Sequence, residues 1–234
     1  FGRIGNDAGR LSWYQSYRLL AGADLGATTG DHGLQARVVA AAMDMLGEAD
    51  GNGNFPSTRY SLGESPITAS VHSGWIYHSV FSSYQWMSPA QREMLVTQAE
   101  KSFDSFESDW SPAGYIFTPG SDFYLDGVIQ PFNMQSAMGL LALDLYEHTN
   151  DIKYLDRADS IFKIITSEFV VKNGTNLWNY WPKIFTDGWS NGTFNSVNAP
   201  SHSPTNPMEF EDVYHAALTI PFLLAATRAL GQQQ

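Results

Sequence analysis

A chain of 234 residues, 43% hydrophobic and only 16% charged, has enough apolar material for one well-buried domain and too little charge for global disorder. Its net charge of −11 lacks the basic footprint of a nucleic-acid binder, and the absence of cysteine excludes disulfides, zinc–thiolate sites and a cysteine nucleophile. The longest apolar run, residues 216–226, contains Pro221 and is too short to cross a bilayer, so no membrane partner is expected.

Leu11, Tyr14, Tyr17, Leu19 and Leu20 recur at helical spacing and predict a first helix over 8–24. Asp31 is placed to cap a second over 32–48, with Leu34, Val38, Ala41, Ala42, Met45 and Leu46 on one face. The following Asp50-Gly-Asn-Gly-Asn starts like a calcium loop but has no glutamate at the twelfth position. A third helix is expected over 73–86. Ser88 as cap and Pro89 as first helical residue open a fourth, whose apolar face holds Met94, Leu95, Ala99, Phe103 and Phe106.

Residues 108–131 read as a loop with strand-like pieces near 115–117. A fifth helix covers 132–148, and Asp151 caps a sixth over 152–170. Residues 172–207 read as a long aromatic loop, and a loop of that length in a compact domain points to function. The seventh helix spans 208–230.

The chain repeats. Shifted by 120 residues, Gln15-Ser16 falls on Gln135-Ser136, Asp24-Leu25 on Asp144-Leu145, Thr29 on Thr149, Asp31 on Asp151 and Arg37 on Arg157. Each copy is a helical hairpin, and the helix pair at 73–106 is a third between them. The fold class is therefore all-α, one domain over 1–234 with about one hairpin per 60 residues.

Hairpins of this kind build α/α toroids, whose inner helices ring a cleft. The segment Pro131-Phe-Asn-Met-Gln-Ser-Ala resembles the hairpin shared by carbohydrate-active toroids. Trp178-Asn-Tyr-Trp followed by Glu211-Asp-Val-Tyr-His resembles polysaccharide lyase family 38, which acts on glucuronan and alginate. About seven helices make an incomplete barrel, either an open toroid or a fragment of a larger one. The resemblance implies a secreted or periplasmic lyase, working without cofactor or metal on an anionic polysaccharide.

β-Elimination needs a group that offsets the substrate carboxylate, a base for the C5 proton and a donor for the leaving oxygen. His215 is the leading base, four residues after Glu211 and sharing its helix face. His72 and Tyr214 are further catalytic candidates. By the resemblance Asn133, with Gln135 at the same helix start, is a candidate to hold the carboxylate, and Arg59, followed by Tyr60, is a candidate to pair with it. Trp178, Tyr180 and Trp181, with Trp13 and Trp75, are candidates for sugar stacking. His202 lies in the long loop. Asn133 reads equally as a helix cap, and His215 as a core histidine. A glycoside hydrolase built on Glu209, Glu211 and Asp122 or Asp126 stays open, since it needs two carboxylates about 5–10 Å apart. A non-catalytic carbohydrate-binding unit also stays open.

Overall fold

A computed structural model describes residues 5–201 and 209–231. The described chain is mostly helical, with eight α-helices and two small hairpins. A 3₁₀ turn at Asp7–Gly9 and a π-helical turn at Leu11–Gln15 lead into α1 (Ser16–Thr29). α2 (His32–Leu46), α3 (Ser70–Phe81), α4 (Pro89–Ser105), α5 (Phe132–Thr149), α6 (Ile152–Ser167), α7 (Ile184–Asn191) and α8 (Val213–Gly231) follow. β1 (Trp110–Ser111) pairs with β2 (Gly114–Tyr115), and β3 (Val170–Lys172) with β4 (Thr175–Leu177), both antiparallel.

The helices lie in two layers. α1 packs on α3, α3 on α5 and α5 on α8, while α2 contacts α1 and α3, α4 contacts α3 and α5, and α6 contacts α5 and α8. α5 sits at the centre, and twelve successive residues from Phe132 to Leu143 are buried. Its approach to neighbours depends on glycine. A Cβ on Gly74 would meet the Ala137 backbone at 2.6 Å, and one on Gly139 would collide with the Phe222 ring. Either substitution forces the inner helices apart.

The repeat is visible in atomic detail at its turns. Gly30 and Asn150 both take the left-handed conformation that ends a helix. Thr29 Oγ1 donates to the Leu25 carbonyl and accepts from the Asp31 N–H. Thr149 Oγ1 does the same with Leu145 and Asp151. Asp31 and Asp151 then cap α2 and α6. Ser88 and Gln91 form a reciprocal capping box on α4.

Several boundaries differ from the sequence expectation. α3 starts three residues before 73 and ends at Phe81, and α1 continues to Thr29. Met94 faces outward on α4, 46% exposed, while Leu95, Ala99, Phe103 and Phe106 are buried. The expected loop over 172–207 holds β4, part of β3 and α7. Asn173 and Gly174, both at positive φ, form the turn between β3 and β4, a pair suited to tight hairpins. α7 is short, and its signal is the pair Phe185 and Trp189 one turn apart, their rings 5.0 Å between centroids.

α8 is longer than the apolar run that suggested it. At 19 residues and mean hydropathy 1.3 it is long and apolar enough to cross a membrane. In this fold Leu218, Phe222 and Ala226 are buried on one face, while Val213, Ile220 and Leu224 on the other are exposed.

Candidate functional site

α5 and α8 begin at the same end of the inner layer, and their first turns, with Tyr17 of α1, border a cleft of about 600 Å³. Trp13, Tyr17, Arg59, Tyr60, Asn133, Tyr180, Tyr214 and His215 line it, with apolar residues between. The cleft thus brings together six sequence-predicted residues from five separate stretches of chain: Trp13, Arg59, Asn133, Tyr180, Tyr214 and His215. α5 carries no side-chain cap, so its first turn supplies positive partial charge at the cleft.

Arg59 and Tyr60 stand on a loop fixed by Ser57, whose hydroxyl accepts from the N–H groups of Gly9 and Arg59. Arg59 has no carboxylate partner among the described residues. Burial raises the Tyr60 pKa above its ordinary value, with Arg59 pulling the other way.

His72 lies behind Tyr60, fully buried, with the Tyr60 ring stacked 5.3 Å away and the Trp13 ring edge-on at 5.9 Å. Its protonation follows from Asn6. The Asn6 Oδ1 accepts from Ser12, so its Nδ2 is the atom 3.4 Å from His72 Nδ1. His72 Nδ1 is then the acceptor and Nε2 carries the hydrogen, with no partner. Burial, helped by the Arg59 charge, pushes the His72 pKa down to about 3. The side chain is a neutral donor at working pH.

Asn133 is 3% exposed, and its Oδ1 has no hydrogen-bond partner. Its helix is aimed by Tyr180, whose carbonyl accepts from the Phe132 N–H. Residues 178–180 run antiparallel to 209–211, with Tyr180 N donating to Glu209 O and Glu211 N donating to Trp178 O. That short pairing holds Tyr180 against the start of α8, where its ring lies 4.5 Å from the His215 ring. Burial raises the Tyr180 pKa and keeps its hydroxyl protonated.

His215 is oriented by Asp212, not by Glu211. α8 begins at Val213, so Glu211 is outside the helix and shares no helix face with His215. Asp212 Oδ1 accepts the backbone N–H groups of Tyr214 and His215, and Oδ2 accepts from His215 Nδ1 at 2.7 Å. The N–H of His215, then its imidazole, hold the Asp212 pKa below the usual range. With Nδ1–H donated, Nε2 presents a lone pair. The missed signal was the Asp-x-x-His spacing at a helix start.

Other sequence candidates are placed elsewhere. The Gln135 amide is spent on the backbone, accepting from Tyr115 N and donating to the Tyr115 and Gln130 carbonyls. Trp178 stacks on Phe169, and Trp181 on Phe185 at 3.9 Å. Neither tryptophan lines the cleft. Glu211 lies in a separate apolar cavity of about 480 Å³ beside α8. There its Oε2 accepts from Trp178 Nε1 at 2.6 Å, and burial pushes its pKa up to about 7. Trp75 is buried against Tyr17 and His78. His202 lies outside the described residues.

The carboxylates considered for hydrolysis do not face each other across the cleft. Asp126 is buried and accepts from Ser196, Asn198 and Gly120. Asp122 is held by Ser61 and Gly63. Among the described residues, no group of three or more His, Asp or Glu is placed to hold a metal ion. Comparison with known proteins found no matching family model, curated protein or solved structure.

Proposed function

We propose that this protein is a polysaccharide lyase built on an open α/α toroid, cleaving a uronate-containing polysaccharide by β-elimination. The observation that carries the reading is the chemical content of one cleft. A carboxylate-oriented imidazole, the protonated Tyr60 and Tyr180, an arginine without a carboxylate partner and an asparagine line it; among the described residues no carboxylate lines it, and Asp212 beside it is bonded to His215. Hydrolysis by paired carboxylates has no such pair there.

In this reading the substrate carboxylate sits near Arg59, Asn133 and the first turn of α5, where positive potential lowers the barrier to ionising the adjacent C–H bond. The His215 Nε2 lone pair removes the C5 proton, and Asp212 stabilises the imidazolium that forms. The C–H electrons become the C4=C5 double bond as the C4–O bond breaks. The leaving oxygen takes a proton from Tyr180 or Tyr60, which burial favours as acids in place over bases.

The test is incubation with a panel of uronate polymers while following ultraviolet absorbance of the unsaturated product. His215→Ala is expected to lower turnover at least about 100-fold, the usual scale of a lost general base, at an unchanged melting temperature. No unsaturated product from any uronate polymer sinks the lyase reading, and unchanged turnover in the variant removes His215 from the reaction.

A further inference from the structure

Resting on the lyase reading, we infer that the cleft accepts a single carboxylate flanked by neutral sugars, so that the substrate alternates uronate with uncharged units. Three observations support this. The first is the charge inventory. Among the described residues Arg59 is the one arginine or lysine that lines the cleft, and no acidic side chain neutralises it. The other fixed positive end, the start of α8, is already capped by the Asp212 carboxylate. One carboxylate therefore finds compensation at Arg59 and the uncapped start of α5, and a second finds none.

The second observation is the background field. The chain carries a net charge of −11, and Asp212 stands at the cleft as a carboxylate. A homopolymer with a charge on every sugar brings its neighbouring carboxylates into a negative field without partners, which low salt makes worse.

The third is what surrounds the charged centre. Tyr17 and Tyr214 stand at the cleft, 38% and 87% exposed, and Val213 beside them is 85% exposed. Exposed tyrosine rings and an apolar edge suit the C–H faces of uncharged sugars, with the phenol reaching their hydroxyls. The aromatics expected for stacking, Trp178 and Trp181, are engaged with Phe169 and Phe185. That leaves the cleft tyrosines, with the half-buried Trp13, to meet a sugar chain.

The experiment measures binding and turnover separately. Oligosaccharides of equal length, one alternating uronate with neutral hexose and one wholly uronate, are titrated calorimetrically into the His215→Asn variant and assayed with the wild-type protein. The alternating chain is expected to bind at least tenfold tighter at low salt, with a salt dependence of about one released counterion. Tyr214→Ala and Tyr17→Ala should each weaken it several-fold, and Arg59→Gln should weaken it while leaving its carboxyl-reduced analogue unaffected. Equal or tighter binding of the homouronate overturns the inference, as does full affinity in both tyrosine variants. A preference for the alternating chain with no unsaturated product from either overturns the lyase reading instead.

Discussion

His72 and His78 stand six residues apart on α3 and meet opposite fates. His72, at the cleft end, is buried with its Nε2 donor unpartnered and is held neutral. His78, toward the other end, bonds Asp144 on α5 at 2.8 Å. Burial pulls the His78 pKa down, but the charge and hydrogen bond of Asp144 outweigh it and leave it above the ordinary value. The two ends of the inner layer differ in the same way. At the far end the His148 ring stacks against both Phe81 and Tyr84. At the cleft end the Asn133 oxygen is also left without a partner. Each unpartnered buried group costs about 1–3 kcal/mol. The same helices are thus locked at one end and hold uncompensated polar groups at the other, where Asn133 lines the cleft and His72 is buried behind Tyr60.

The largest expected effect tests the cleft end. A histidine whose folded pKa is about 3 and whose ordinary value is 6.5 binds its proton more weakly when folded. Its contribution is fully present above pH 6.5 and is lost as pH falls toward 3, because only the unfolded chain takes up the proton. At about 1.4 kcal/mol per unit the loss approaches about 5 kcal/mol, of which about 3 kcal/mol falls between pH 7 and pH 4. Urea melts from pH 7 to 4 should show this slope, and His72→Gln should flatten it. A slope that survives in the variant assigns acid sensitivity to other groups.

Next comes the locked end. Asp144→Asn leaves His78 without its charge partner, at an expected cost of about 3 kcal/mol near pH 6. The sign with pH is opposite to that of His72. A raised histidine pKa adds stability that is complete below 6.5 and fades as pH rises through the folded value. The wild-type advantage over Asp144→Asn should therefore shrink from pH 6 to 9. Denaturant melts of both proteins at those pH values measure it, and a constant difference removes the ion pair from the explanation. Turnover per folded molecule should stay unchanged, since the pair lines a different cavity from the cleft.

The contrast also marks what could be read from the sequence. The hairpins were legible because the Thr-x-Asp turn, the Asp31, Ser88 and Asp151 caps and the helical periodicity are all local. Asn133 and His215 were legible as residue types near helix starts, and Arg59 and Tyr180 as loop residues. Their convergence was not, because it depends on α3, α5 and α8 packing in parallel and on residues 178–180 pairing with 209–211. Gln135 looked available because periodicity does not reveal that the Tyr115 backbone claims its amide. The π-helical turn at Leu11–Gln15 and the short α7 carry too little periodic signal to stand out.

Glu211 shows most clearly how one residue of phase changes a role, and it gives the smallest of the expected effects. Counted as helical, it shares a face with His215. In the structure it precedes the helix, and Asp212 takes that place while Glu211 enters the apolar cavity beside α8. Burial raises its pKa to about 7 against the hydrogen bond from Trp178 and the charge of His215, with Asp212 adding to the rise. A carboxyl with a raised folded pKa gives stability that is complete below 4.5 and lost as pH climbs through 7. Allowing for the solvent that reaches this side chain, the loss is about 2 kcal/mol. Glu211→Gln keeps an acceptor for Trp178 Nε1 and cannot ionise. It should match the wild type at pH 4.5 and exceed it by about 2 kcal/mol at pH 8 in denaturant melts. If Glu211→Gln is no more stable than the wild type at pH 8, the carboxyl is already ionised and solvated at neutral pH, and the cavity beside α8 is wetter than its apolar lining implies.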